Sequence, residues 1–189
     1  MTFSQVRMLF TSISSAAMAF SVLSCAKSPA TESADPKAAL IAEALSAAPD
    51  AIAATATVMN WDGAVLREGS ADWVCYPSMP DREGVCPMCL DPAWQKWLAA
   101  FAQGEAPEGG ALGVSYMLRG DCAVSNIDPM AMHRTDDNEW VQEGPHVMLL
   151  APDASALAGM PHDPDNGGPY VMWRDTPYAH IMVPLPAKE

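Results

Sequence analysis

The chain has 189 residues, half of them apolar and 17% charged, enough for one domain with a core of its own. Six Trp and 13 Met exclude a chain that is disordered throughout. Ten Lys and Arg against 23 Asp and Glu leave a formal net charge of −13, which excludes electrostatic binding to nucleic acid or to anionic lipid headgroups.

Residues 1–24 read as an export leader. Arg7 is the only charge there, and the apolar run Met8–Leu23 is short for a membrane span. The run ends in Val22-Leu23-Ser24-Cys25, which resembles the bacterial lipobox: an aliphatic residue, a small residue, then Cys. That resemblance implies cleavage before Cys25, acylation of its thiol, and a chain held to the membrane by lipid. Ala26 after the Cys implies the outer membrane, facing the periplasm. The alternative is an ordinary secretory signal cut near Ala19 or Ala26. Loss of Arg7 takes the charge from −13 to −14, so acyl chains and not basic residues would make the membrane contact. Residues 25–35 read as a flexible tether and 36–189 as a single globular domain.

Asp35-Pro36 starts a helix that carries Leu40, Ile41, Ala44 and Leu45 at helical spacing and stops at Pro49. Ala53–Met59, the turn Asn60-Trp61-Asp62-Gly63 and Ala64–Glu68 predict a β-hairpin. Trp73–Tyr76 predicts another strand, and residues 77–92 a Pro/Gly/Cys loop. Asp91-Pro92 opens the clearest helix, which ends at Gly104 with Trp94, Trp97, Leu98 and Phe101 on one core-facing stripe. Leu112–Arg119 and His146–Ala151 read as strands, with an irregular acidic stretch over 120–144 between them. One helical turn is expected at Ala154–Gly159 and a tight polar loop at His162–Gly168. Tyr170–Trp173 and His180–Val183 read as strands joined across Asp175-Thr176-Pro177. Together these predict an α+β domain, a mainly antiparallel sheet with two short helices and many Pro/Gly loops. A β-sandwich with helical insertions is the alternative. Residues 167–184 are similar to the C-terminal part of uncharacterised secreted bacterial proteins, a resemblance that implies no activity.

Cys75, Cys86, Cys89 and Cys122 remain after Cys25, an even number that reads as two disulfides in an exported chain. Closing Cys75–Cys89 or Cys75–Cys86 would pin the long loop, with Cys122 taking the Cys left over. Cys86-Pro87-Met88-Cys89 is also a C-x-x-C. Its sulfurs precede the helix that begins at Pro92, and Asp91 is the nearest charge, which works against the stabilised thiolate a redox catalyst needs. Leu90 stands where a c-type haem motif requires His. A structural zinc site on the four Cys is a further alternative.

No G-x-G-x-x-G, P-loop or H-E-x-x-H motif is present, and Gly113-Val114-Ser115 lacks the second Gly of a nucleophile elbow. Asp163–Gly168 only half resembles a calcium loop and reads as a polar turn. No catalytic residue emerges, so binding is expected ahead of catalysis. Each of the four His has a Met within two positions: Met132-His133, His146-x-Met148, Met160-x-His162 and His180-x-Met182. In a strand, residues two apart share a face, so His146 with Met148 and His180 with Met182 would each present imidazole and thioether together. That donor pair suits copper, and if the two strands are neighbours the four side chains converge. Met160, Met172 and the Met132-His133 pair stand in reserve. The spacing is similar to the His-x-Met ligands of periplasmic copper chaperones, and the similarity covers the spacing alone. The competing expectation is a non-catalytic envelope module that binds a partner protein through exposed Trp and Pro-rich surface. Met filling the core, with hydrogen-bonded His, is the bland account of the same residues.

Overall fold

Asp35 accepts a hydrogen bond from the Lys37 amide at 3.0 Å and Pro36 takes the first helical position, so helix α1 spans Pro36–Leu45. The structure, a computed structural model, describes residues 35–186; the expected leader, Cys25 and the expected tether before Asp35 lie outside the described residues. Pro49 does more than stop α1. Its carbonyl accepts from the Ile52 and Ala53 amides, starting the one-turn helix α2 (Asp50–Ala53). The strand expected over Ala53–Met59 therefore contracts to β1 (Thr57–Met59), because the Ala residues before it continue a helical turn.

The hairpin to β2 (Val65–Arg67) forms as predicted. Gly63 takes φ +86°, and the Asn60 amide bonds the Ala64 carbonyl at 2.8 Å. Strand β3 (Val74–Tyr76) follows, and then a strand the sequence concealed, β4 (Met88–Leu90), inside the expected loop. All three β4 residues are buried, so it shows no alternation, and three residues are too few to carry a period. Asp91 caps helix α3 (Pro92–Gln103), which ends at Gly104 with φ +69°. The remaining strands are β5 (Gly113–Met117), β6 (Val124–Ser125), β7 (Trp140–Val141), β8 (His146–Leu150), β9 (Tyr170–Met172) and β10 (His180–Pro184). The pair β6–β7 lies within the stretch expected to be irregular.

Eight strands form one sheet in the order β2-β1-β3-β4-β5-β8-β10-β9, antiparallel throughout except for β1–β3. The domain is α+β, and the sandwich alternative does not occur. Alternation along β4 separates two cores. Cys89 packs with Ala44 of α1, and Met88 and Leu90 pack with Trp94 and Trp97 of α3, so the two helices cover opposite faces. The Asp91 carboxylate fixes α3 to the sheet: one oxygen accepts from the Trp94 amide at 2.8 Å, the other from the Val114 amide at 2.6 Å.

Two disulfides close the expected framework. Cys75 and Cys89 face each other directly on β3 and β4, and Cys86 bridges to Cys122 beyond β5. Each sulfur of the C-x-x-C is thus bonded elsewhere. No helix among the described residues is long and apolar enough to cross a membrane.

Candidate functional site

Strands β8 and β10 are hydrogen-bonded neighbours, and their antiparallel register sets Met148 opposite Met182. Residues two apart share a face. The sequences His146-x-Met148 and His180-x-Met182 therefore lie side by side in opposite directions. The two thioethers form the central cross-strand pair, and one imidazole flanks each end. The next strands extend the pattern. Met117 of β5 lies opposite His146, and Met172 of β9 lies opposite His180. All six side chains are buried.

His146 is 0% and His180 2% exposed. The Nδ1 of His146 is 2.7 Å from the Gly144 carbonyl, and that of His180 is 3.0 Å from the Tyr178 carbonyl. A carbonyl only accepts, so Nδ1 carries the proton and Nε2 the lone pair. Neither Nε2 has a hydrogen-bond partner among the described residues. Burial pushes the His146 pKa down to about 4, against the opposing bond to Gly144. His180 is also pushed down to about 4 by burial, opposed by its bond to Tyr178 and helped by the charge of His146. Both rings are therefore neutral at physiological pH, the state in which imidazole ligates metal.

Helix α3 places aromatic rings over this face. His180 lies edge-on to Trp94, Trp97 and Trp173, with centroids at 5.3, 5.8 and 5.1 Å. A cavity of about 100 Å³ sits between α3 and the sheet. Met88, Met117, Met148 and Met172 line it together with His180 and these Trp residues. Of the four residues singled out from the sequence, Met148 and His180 reach the cavity wall; His146 and Met182 lie beside it on the same sheet face. Of the reserves, Met172 joins the wall, Met160 is half-buried away from it, and Met132 and His133 are exposed.

Sequence reasoning missed the acidic edge of the site. Asp121 lines the cavity, and burial pushes its pKa up to about 7; the Cys122 amide opposes this, Glu143 adds to it and Arg82 opposes it. Glu143 accepts a 2.7 Å hydrogen bond from the Tyr170 hydroxyl, and burial is the main cause that raises that phenol. Asp121 lay in a stretch without periodicity, and no local signal marked it. Met117 could have been found from the alternation of its strand, but only the β5–β8 register brings it to His146.

The polar loop at 163–168 is the turn expected of it, with the Asp165 amide bonded to the Asp163 carboxylate and the Gly168 amide to the Asn166 side chain. Trp94 and Trp97 are buried, and Trp61, Trp73, Trp140 and Trp173 are half-buried. No three of His, Cys, Asp and Glu come together among the described residues. The face shared by β5, β8, β10 and β9 carries four thioethers and two imidazoles. No protein-family model, curated protein or solved structure matches the chain.

Proposed function

We propose that this is a lipid-anchored cell-envelope protein whose domain binds monovalent copper on the His/Met face of β8 and β10. His146, Met148, His180 and Met182 form the core of the donor set, and Met117 and Met172 stand next to it. The observation that carries this reading is the pair of buried Nε2 lone pairs without a partner, each on a ring oriented by a backbone carbonyl. Leaving a polar atom buried and unsatisfied costs about 1–3 kcal/mol, a cost that metal ligation offsets. Ligating histidines are characteristically held this way through the other ring nitrogen.

The donor chemistry selects the ion. Calcium and magnesium require several oxygens, and this face is thioether and imidazole. Zinc favours thiolate, but all four cysteines of the domain are in disulfides. Soft sulfur with neutral imidazole suits Cu(I), and Trp faces add cation–π attraction.

Competition for Cu(I) against bathocuproine disulfonate tests the reading. The wild-type domain is expected to withdraw copper from the chelator. The volume-conserving double variant Met148→Leu, Met182→Leu is expected to bind at least about tenfold more weakly while melting as the wild type does. A wild-type domain that takes no copper overturns the proposal, as does His146→Ala with His180→Ala binding as tightly as wild type. The anchor has its own test: Cys25→Ala should leave the membrane fraction or accumulate as precursor. Wild-type fractionation and mobility would exclude lipidation.

A further inference from the structure

Met130 and Met132 are 52% and 57% exposed, among the most open large apolar side chains described, and exposed His133 follows them directly. Their loop is not loosely held. The buried Ser125 hydroxyl accepts from the Ile127 and Asp128 amides and donates to the Asn138 carbonyl. The Asp128 carboxylate accepts from the Met130 amide at 2.9 Å, and the Asn138 side chain donates to the His133 carbonyl at 2.8 Å. The backbone that displays two thioethers and an imidazole to solvent is thus tied to buried groups on both sides.

The loop is linked to the cavity wall through Arg82. Arg82 donates to the Met132 sulfur at 3.4 Å, and its own amide bonds the Met79 carbonyl at 3.3 Å. The Met79 side chain lines the cavity, and so does Asp121, whose carboxyl feels the Arg82 charge. The segment from Met79 to Arg82 therefore lies between the displayed sulfurs and the buried His/Met face. Residues 120–144 carry six acidic residues and one basic residue, so the loop stays acidic with Arg82 counted, and an arriving cation displaces the Arg82 guanidinium from the Met132 sulfur.

We infer that Met130, Met132 and His133 form a surface loading point for a soft monovalent cation, which passes by way of Met79 to the buried site. The inference rests on the copper reading above. The step is ligand exchange: a new sulfur–metal or nitrogen–metal bond forms as an outer one breaks, with no change of oxidation state. Matched soft donors outside and inside keep each exchange close to balanced, and the acidic loop supplies the ion locally.

The test measures transfer of Cu(I) from its bicinchoninate complex by stopped flow, with equilibrium competition in parallel. The variant is Met130→Leu, Met132→Leu, His133→Gln in the full chain, and all three positions are exposed. Transfer is expected to slow by about tenfold or more, with the equilibrium affinity within about threefold of wild type. An unchanged rate in a variant that still binds copper overturns the loading point and leaves the buried site standing. Rate and affinity falling together also overturn it, because the three residues would then belong to the final site. A wild-type chain that takes no copper at equilibrium overturns both.

Discussion

His146 and His180 hold their protons only below about pH 4, whereas an unfolded chain takes them up near 6.5. Their contribution to stability is fully present above pH 6.5 and is lost as pH falls from there toward 4. Each shift corresponds to about 3 kcal/mol. Asp121 acts in the opposite sense. Its carboxyl stays protonated up to about 7 in the folded domain but only to 3.8 when unfolded, so its contribution falls as pH rises between those values. Two imidazoles outweigh one carboxyl, so the thermal midpoint should be lower at pH 4.5 than at pH 7. Asp121→Asn should raise the midpoint at pH 7 and steepen the acid loss. Equal midpoints at the two pH values would show that the imidazoles are not held neutral by burial.

At the scale of single elements, Asp91 does two jobs with one carboxylate, capping α3 and accepting from β5. Asp91→Ala removes the cap and leaves the Val114 amide unsatisfied, a loss of about 2 kcal/mol or more. The urea midpoint should fall with an unchanged m-value, and Asp91→Asn should lose less. An unaffected midpoint would mean that α3 is held by its Trp contacts alone. Gly69 marks a second constraint. A Cβ there would overlap the backbone of Ala56 and Thr57, so Gly69→Ala should lower the melting temperature even though the site is exposed. The caps, the Asn60–Gly63 turn and the Trp stripe of α3 were all legible because each depends on neighbours within a few residues. Strands β4, β6 and β7 were not. They are two or three residues long, and only pairing with distant strands makes them extended.

Across the whole molecule the two disulfides link segments that local structure leaves apart. Cys75–Cys89 closes 14 residues and Cys86–Cys122 closes 36. Loop-closure entropy assigns them about 3 and about 4 kcal/mol. Alkylation of the denatured, unreduced domain should label none of these four cysteines, and reduction should lower the unfolding midpoint markedly. Four labelled thiols before reduction would contradict both bridges. Cys86–Cys122 has the larger effect on the candidate site. It ties the segment bearing Met79 and Arg82 to Asp121's neighbour, so Cys86→Ser with Cys122→Ser should loosen the rim before the sheet melts, as hydrogen exchange at residues 79–86 would show.

The sequence by itself determined the helix starts at Asp35 and Asp91, the hairpin, the alternating strands and an α+β domain with an even set of cysteines. Those features follow from side-chain period, capping and composition, which act over short stretches of chain. It also identified the two His-x-Met pairs, and strand geometry alone put each imidazole on the same side as its thioether. Only the tertiary structure decided that β8 and β10 are adjacent and that their register sets Met148 against Met182. Likewise it alone chose among the cysteine pairings and brought Met117, Met172, Asp121 and the Trp residues of α3 to the same place. Those outcomes depend on contacts between residues far apart in the chain. Their stability comes from burying whole faces together, and no window of neighbouring residues encodes which faces will meet.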